Sequence, residues 1–85
     1  MSWVEQELDL HGLTVEEAIP RLEKFLYDAY QAGLHRVWVV HGKGSGTLRR
    51  EVGRYLAGNS LVRSSRSADR YHGGNGVTQV ELSDR

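Results

Sequence analysis

The amino-acid sequence predicts an α/β fold, a two-layer sandwich in which a four-stranded mixed sheet carries two helices on one face. Strand-like and helical segments follow one another in the order βαβαββ. Each helical segment is apolar along one side only, which is typical of a helix that packs on a sheet. A chain of 85 residues is long enough for one modest core, so we expect a single domain over residues 1–85 with its core at about residues 5–83.

The first strand is marked by an alternation of apolar and polar residues. Over residues 7–12 this alternation places Leu8 and Leu10 on one face and Asp9 and His11 on the other. A glycine closes the segment and indicates a turn. We therefore predict a short strand that ends in a turn.

The first helix is marked at both of its ends. The sequence TVEE at residues 14–17 forms a capping box, in which the threonine and the second glutamate each bond the other's backbone N–H. Apolar residues recur at helical spacing from there to residue 30, and Gly33 is typical of a helix end. Pro20 lies inside the segment, where we expect a local kink and no break, because the apolar stripe continues in phase on both sides.

A second strand, a glycine loop and a second helix form one continuous stretch. Residues 37–40 are apolar and largely β-branched, which is typical of a buried strand, and Trp38 is expected in the core. Glycines alternate over residues 42–46, and Leu48 begins an amphipathic segment that ends near residues 58–59. This order of elements places a glycine loop at the start of a helix.

Two strands complete the predicted sheet. Residues 61–65 read as a strand of weak propensity, residues 66–76 are polar, and residues 71–76 are predicted to be a mobile loop rich in glycine. Residues 77–82 alternate cleanly and are predicted to be the last strand.

The glycine loop and the helix start that follows it have the features of an anion site. The first N–H groups of a helix have no carbonyl partner, the helix dipole is positive there, and glycines let a phosphate approach the backbone. Basic side chains add charge and hydroxyls add donors. The alternative is a turn that needs glycine for its geometry alone. The candidate binding residues here are Gly42, Lys43, Gly44, Ser45, Gly46 and Arg49.

The carboxyl ends of the first two strands are predicted to meet at one edge of the sheet, because a helix joins them as a βαβ unit. The polar residues at these two ends are about thirty residues apart in the sequence but would lie close together in the fold. The side chains that this arrangement joins are Asp9, His11, His41 and Lys43.

Charge is distributed unevenly along a chain whose net charge is zero. Residues 1–34 contain two basic and seven acidic residues, a net charge of −5, whereas residues 35–70 contain eight basic and two acidic residues, a net charge of +6. The basic segment surrounds the glycine loop, as binding of a polyanion requires. Arg63, on the predicted third strand, is a further candidate for binding nucleic acid. The alternative is a solvated face of arginines that binds nothing.

Composition excludes several classes of protein. The chain has no cysteine, which excludes disulfides and thiolate metal sites. No apolar run approaches the roughly 20 residues that span a bilayer, and no segment resembles a signal peptide. We therefore expect a soluble, cytoplasmic domain with no membrane partner.

Three motifs resemble those of the Smr (small MutS-related) domain. LDLHG at residues 8–12 matches the first motif of that family, HGKGSGTLR at residues 41–49 matches its HGxGxGxLR motif, and GGNGVT at residues 73–78 resembles its GGxGxT element. The lysine of the second motif and the final strand are more similar to the domain at the C-terminus of the second bacterial MutS paralogue than to the stand-alone members.

The resemblance implies a fold similar to the C-terminal domain of translation initiation factor three, and binding of DNA or RNA, with the ribosome as one candidate partner. For many members it implies an endonuclease that nicks DNA or cuts RNA, here in recombination control or ribosome rescue and tethered to a MutS-type ATPase. The family's motif residues carry over to Asp9, His11, His41, Gly42, Lys43, Gly44 and Gly46. The paralogue's domains often have arginine where this chain has His11, a local departure from the pattern.

The candidate catalytic residues have open roles. Phosphodiester cleavage needs a base, positive charge at the phosphate and an acid, so Asp9 or His41 could be the base and His11 the acid or a phosphate clamp. In the alternative, Asp9 caps the turn and both histidines bond the loop backbone. A metal-assisted reaction would use Asp9 with Mg²⁺ or Mn²⁺. A nuclease metal site usually has more than one carboxylate, and only one is clear at this edge, so we favour a metal-independent or weakly metal-assisted reaction.

Two classes of function therefore remain. The first is an endonuclease domain, and the second is a module of the same fold that binds DNA or ribosomal RNA without cutting it. If unpaired bases bind, Tyr71 is a better candidate for stacking than Trp38. A third class, protein interaction through the acidic first helix, would show no salt-dependent affinity for nucleic acid.

Overall fold

Four strands and two helices follow one another in the predicted order βαβαββ in a computed structural model of the chain. The structure describes residues 6–44, 46–68, 70–72 and 74–84. Two short 3-10 turns, η1 (Arg70–His72) and η2 (Gly74–Gly76), precede the last strand. The regular elements are β1 (Glu7–Asp9), α1 (Val15–Gln31), β2 (Arg36–Val40), α2 (Thr47–Ala57), β3 (Val62–Ser67) and β4 (Val77–Leu82).

The sheet is mixed and has the strand order β1-β2-β4-β3. β1 and β2 are parallel, whereas β4 is antiparallel to both of its neighbours, β2 and β3. The carboxyl ends of β1, β2 and β3 therefore lie at the same edge of the sheet as the start of β4. We call this the loop edge, because the glycine loop at residues 42–46 leaves the sheet there.

Both helices cover one face of the sheet, as predicted. Val37 and Val39 of β2 lie beside Val80 and Thr78 of β4, so these side chains share a face. A single cluster of buried apolar residues joins this face to both helices. Its members are Leu10, Ala18, Leu22, Leu26, Ala29, Val37, Val39, Val52, Leu56, Val80 and Leu82.

Trp38 lies on the opposite face, which neither α1 nor α2 covers, and the prediction that it belongs to the core is wrong. It is the neighbour of Gln79 on β4 and of Glu7 on β1, and it is partly buried. Val37 and Val39 take the two inward positions of β2, so the alternation of the strand turns Trp38 outward. On the same open face, Nε of Arg36 donates to the carboxylate of Glu81 at 2.6 Å.

Helix α1 has the predicted ends and passes through its proline without a break. Thr14 and Glu17 form the complete capping box, and Gly33 has a left-handed φ of 79° after the last turn. The N–H groups of Gly33 and Leu34 donate to carbonyls of that turn, which is the Schellman arrangement. In the described part of the chain, neither helix combines the length and the apolarity that crossing a bilayer requires.

Strand β3 is longer than predicted and shifted toward the carboxyl end. Arg66 and Ser67 belong to the strand and pair with Gln79 and Thr78, so the strand continues two residues beyond its predicted end. Pairing with β4 extends the strand into a sequence whose own strand propensity is low, a case in which tertiary context decides. A bulge interrupts the register between Val62 and Ser64.

The capping box gives a first prediction. Thr14→Ala removes the hydroxyl that accepts the N–H of Glu17 at 3.2 Å, and we expect the free energy of unfolding to fall by about 1 kcal/mol. Urea unfolding followed by far-UV circular dichroism measures this change. Thr14→Ser keeps the hydroxyl and is the matched control, so equal losses in the two variants would contradict the assignment.

Candidate functional site

Three segments that are distant in the sequence meet at the loop edge. The N–H of Leu10, after β1, donates to the carbonyl of Val40 at 2.7 Å, which holds the first turn against the end of β2. The N–H groups of His41 and Gly42 both donate to the carbonyl of Gly76, each at 3.0 Å. The turn after β1, the glycine loop and the turn before β4 therefore form one connected unit.

Backbone conformation favours glycine at two positions of the loop, and a third glycine, Gly76 of turn η2, packs closely against the loop. Gly42 and Gly46 have φ values of 83° and 85°, in the left-handed region that favours glycine. A Cβ on Gly76 would lie 3.1 Å from Cγ of Lys43, so the two loops are packed nearly backbone to backbone. The predicted binding residue Ser45 lies outside the described residues, and Gly44 is exposed.

A cleft of about 290 Å³ lies between the turn after β1 and the glycine loop. One wall is the turn, and the other is the loop with the first turn of α2. The cleft thus brings together most of the predicted site residues of the described chain. Its lining consists of His11, Gly12, Leu13, His41, Gly42, Lys43, Gly44, Gly46, Leu48 and Arg49.

Asp9 and His11 form an exposed carboxylate–imidazole pair beside the cleft. Oδ1 of Asp9 accepts the backbone N–H of His11 at 3.0 Å and lies 3.1 Å from Nδ1 of the ring. The backbone bond, followed by the ring bond, holds the pKa of Asp9 below its ordinary value of 3.8. The predicted turn-capping contact of Asp9 is thus present together with the contact to the imidazole. The side chains are 58% and 70% exposed, so both are open to a ligand.

His41 is buried, and both of its ring nitrogens are occupied. Nδ1 lies 3.1 Å from the carbonyl of Gly42 and Nε2 lies 2.8 Å from the hydroxyl of Thr78, and the residue is only 5% exposed. Because a carbonyl can only accept, Nδ1 carries the proton and Nε2 accepts the hydroxyl in the neutral ring. Burial lowers the pKa of His41 below 6.5. These contacts agree with the structural alternative for His41, in which it bonds the loop backbone.

The start of α2 faces the same cleft. Gly46 is the N-cap residue and provides no side-chain cap, and the helix carries no acidic residue in its first turn. The first internal bond of the helix is donated by the N–H of Arg50 to the carbonyl of Gly46, at 2.9 Å. Lys43 and Arg49 are exposed at this end, so positive charge from side chains adds to that of the helix dipole.

Arg63 lies away from this site. It occupies the bulge at the start of β3, at the end of the strands that is farthest from the loop edge. Its guanidinium lies 3.5 Å from the carboxylate of Asp84. Four residues of extended strand, roughly 13 Å, separate it from Ser67 at the loop edge. The structure therefore does not bring Arg63 together with the other predicted binding residues.

Two residues of the site were missed as functional positions by sequence reasoning. Thr78 is 8% exposed and holds the ring of His41, and Gly76 accepts two N–H groups from the loop. Both belong to the GGNGVT sequence at residues 73–78, which was noted only as a resemblance. That motif could have indicated both positions, because it ends in a threonine, whose hydroxyl can bond a neighbouring side chain, near the start of the last strand.

Residues 8–83 match the model of the Smr domain family. The chain belongs to the Smr domain family. Its Smr sequence is 51% identical over 79 residues to the endonuclease MutS2 of Pelotomaculum thermopropionicum and 49% identical over 79 residues to the putative endonuclease MutS2 of Bacillus subtilis. In both comparisons 93% of this chain is aligned, but it spans only 10% of the relative's length.

Solved structures of Smr domains have the same fold. The Smr domain of Thermus thermophilus MutS2 superposes with a TM-score of 0.90 at 39% identity, covering 93% of this chain and 99% of that one. The stand-alone small MutS-related protein YdaL of Escherichia coli gives a TM-score of 0.88 at 30% identity, covering 93% and 65%. The resemblance to the domain of the MutS paralogue is thus confirmed.

The buried His41 predicts how the stability of this Smr domain depends on pH. The unfolded chain binds a proton at the ordinary pKa of 6.5, whereas burial lowers the pKa in the folded state. The contribution of His41 is therefore fully present above about pH 6.5 and is lost as the pH falls toward the lowered value. We expect the free energy of unfolding from urea titrations to decrease over this range.

Two variants test this assignment. His41→Gln should flatten the pH dependence, because the residue that takes up the proton on unfolding is gone. His35→Gln changes an exposed histidine and should leave the dependence as it is. An unchanged dependence in His41→Gln would assign the effect to other groups.

Proposed function

We propose that the cleft at the loop edge binds the sugar–phosphate backbone of nucleic acid and hydrolyses a phosphodiester bond, so that this Smr domain is an endonuclease domain of a longer, MutS-type ATPase. The observation that carries this proposal is the exposed Asp9–His11 pair at a cleft whose other wall holds an uncapped helix start. The relatives named endonuclease MutS2 support the same activity.

The phosphate would lie between the glycine loop and the first turn of α2. The N–H groups of Leu48 and Arg49 precede the first internal bond of the helix, which Arg50 donates, so they can donate to an anion. The exposed ammonium of Lys43 and the exposed guanidinium of Arg49 would neutralise the charge that develops on the phosphate oxygens. Gly42 and Gly46 keep the backbone accessible because they have no side chain in this concave region.

The Asp9–His11 pair would supply the base. The ionised carboxylate of Asp9 would accept a hydrogen bond from the N–H at Nδ1 of His11. This bond fixes the tautomer of the ring and leaves the lone pair of Nε2 for a water molecule. The lowered pKa of Asp9 keeps this carboxylate ionised at neutral pH. His41 has no such role in this proposal, because both of its nitrogens are engaged with Gly42 and Thr78.

In the proposed reaction, a water oxygen forms a bond to phosphorus while Nε2 of His11 takes one of its protons. The bond from phosphorus to one bridging ester oxygen breaks, and that oxygen receives a proton from Lys43 or from the protonated His11. The products are one strand end with a phosphate and one with a hydroxyl. The electrons of the broken bond stay on the leaving oxygen, so no redox partner is involved.

The described residues do not form a convincing site for Mg²⁺ or Mn²⁺. Asp9 and Glu7 share the open face of β1, but Glu81 lies at the other end of the sheet and is bonded to Arg36. No group of three His, Cys, Asp or Glu residues in the described chain could hold a metal ion. We therefore expect cleavage to persist with a chelator.

The second candidate function is a module that binds DNA or ribosomal RNA without cutting it. The observation in its favour is that Oδ1 of Asp9 is already occupied by a local turn bond, the role of a purely structural aspartate. In this case the same cleft and the same cations bind phosphate, but no water is activated. The two functions differ in whether the bound strand is cut, and only the first depends on the charge of Asp9.

Asp9→Asn separates the two functions. We expect cleavage of supercoiled plasmid or structured RNA to fall by about 100-fold or more, since the base loses its orienting charge. Binding of uncut nucleic acid in a gel shift should be retained. Glu7→Gln, which removes an exposed carboxylate two residues away, is the matched control and should cut normally. Each protein is assayed with chelator, Mg²⁺ or Mn²⁺, and absence of cutting in every lane would favour the binding module.

His11→Arg tests the role of His11 within the reaction. Arginine preserves a cation for the phosphate but cannot accept a proton, so we expect cleavage to be lost to a similar extent as in Asp9→Asn. Retained cleavage would identify His11 as a phosphate clamp and leave Asp9 as the base. Nicking of plasmid over time measures both variants in parallel.

A further inference from the structure

A series of three groups connects β4 to the glycine loop through two hydrogen bonds. The hydroxyl of Thr78, near the start of β4, lies 2.8 Å from Nε2 of His41. Nδ1 of the same ring lies 3.1 Å from the carbonyl oxygen of Gly42. Both side chains are buried, so water has little access to these contacts. We call Thr78, His41 and the carbonyl of Gly42 the threonine–histidine link.

The hydrogen bonds of the threonine–histidine link have a fixed direction. The carbonyl of Gly42 can only accept, so its bond requires the proton on Nδ1 of His41. Burial lowers the pKa of His41 below its ordinary value of 6.5, so the ring is neutral at pH 7 and carries one N–H. Nε2 then accepts the hydroxyl of Thr78. The hydroxyl therefore fixes the tautomer and the orientation of the ring.

The link also determines where the next backbone N–H of the loop points. The peptide bond between Gly42 and Lys43 is trans, so its carbonyl and its N–H point in opposite directions. Because the carbonyl is turned toward the buried ring, the N–H of Lys43 is turned away from it. Lys43 is exposed and lines the cleft. Among the residues that the structure describes, none accepts a hydrogen bond from this N–H.

Gly42 is held on both of its sides. Its N–H donates to the carbonyl of Gly76 at 3.0 Å, and its own carbonyl accepts the ring of His41. Its φ of 83° lies in the left-handed region, where successive backbone N–H groups can form a concave site for an anion. The direction of the N–H of Lys43 is thus set by contacts on either side of one glycine.

We propose that the N–H of Lys43 donates to a non-bridging oxygen of the phosphate, and that Thr78 is a positioning residue that aims this donor through the ring of His41. This inference rests on the proposed function, because it assumes that a phosphodiester lies in the cleft. The N–H would add a third backbone donor to those of Leu48 and Arg49. A fixed donor acts most strongly where negative charge develops in the transition state, so its effect is mainly on kcat.

Nuclear magnetic resonance of the unmodified chain tests the donor directly. Inorganic phosphate titrated into isotope-labelled protein should move the amide proton of Lys43 downfield, together with those of Leu48 and Arg49. The nitrogen spectrum of His41 should show the ring proton on Nδ1. A proton on Nε2, or a shift of Leu48 and Arg49 without one of Lys43, overturns the inference while the phosphate site stands. If none of the three amides moves, the proposed phosphate site is wrong and the inference falls with it.

Thr78→Val removes the hydroxyl at nearly constant volume and tests the positioning role. We expect kcat for nicking of supercoiled plasmid to fall by about tenfold or more, since the donor is misdirected, and KM to change by less than about twofold. Phosphate should no longer move the amide proton of Lys43 downfield, although Lys43 itself is unchanged. Thr78→Ser keeps the hydroxyl and should restore both properties.

Thr14→Ala separates positioning from a simple loss of stability. It removes a hydroxyl that caps α1, outside the glycine loop, so it should destabilise the fold but keep kcat and the shift of the Lys43 amide. Unchanged kcat and unchanged amide shift in Thr78→Val, or equal losses in Thr14→Ala and Thr78→Val, overturn the positioning role. The amide shift needs no cleavage, so it decides the inference even if the domain only binds nucleic acid. If Thr78→Val does not fold, the two spectra of the unmodified chain decide it.

Discussion

The carbonyl of Gly76 holds the site together. It accepts the N–H groups of His41 and Gly42 at once, which joins the end of β2 to the start of β4 at the point where the glycine loop leaves the sheet. A Cβ at Gly76 would lie 3.1 Å from Cγ of Lys43, so a side chain at this position would require the lysine to shift. Gly42 in turn approaches His11, with 3.4 Å between the position of its Cβ and Cβ of His11. The Gly76 carbonyl thus fixes the glycine loop against the turn before β4, and the bond from the N–H of Leu10 to the carbonyl of Val40 adds the turn after β1 to the same unit.

The two histidines of the motifs have opposite environments. His41 continues the inward side of β2 after Val39, and its contact with Thr78 ties the loop to the buried face of the sheet. His11 continues the outward side of β1 and is bonded to an ionised carboxylate in solvent. Burial and complete hydrogen bonding make a residue rigid, whereas exposure leaves a nitrogen free for chemistry. His41 therefore has a structural position, and His11 is the candidate for a chemical role.

Local signals in the sequence were sufficient for most of the fold. The capping box at Thr14, the left-handed Gly33 and the parallel arrangement of the first two strands predicted α1 and the meeting of the turn after β1 with the glycine loop. The errors concern information that is not local. Residues 37–40 are all apolar, so no alternation of apolar and polar residues shows which face of the sheet Trp38 lies on. The end of β3 is decided by its pairing with β4. The partner of His41 lies 37 residues away, and the position of Arg63 follows from strand order, which no short window contains.

Strand β3 is an edge strand of the described sheet, because it pairs with β4 on one side and with no described strand on the other. An exposed edge of six residues can template the addition of a strand from another chain, which leads to aggregation. Here the bulge next to Arg63 interrupts the flat edge, and Arg66 places a second positive charge on the same strand. Two such edges that approached each other would bring arginines together and mismatch their registers. The basic residues of β3 thus also favour colloidal stability, so removing them would make self-association easier as well as reduce the positive field of the domain.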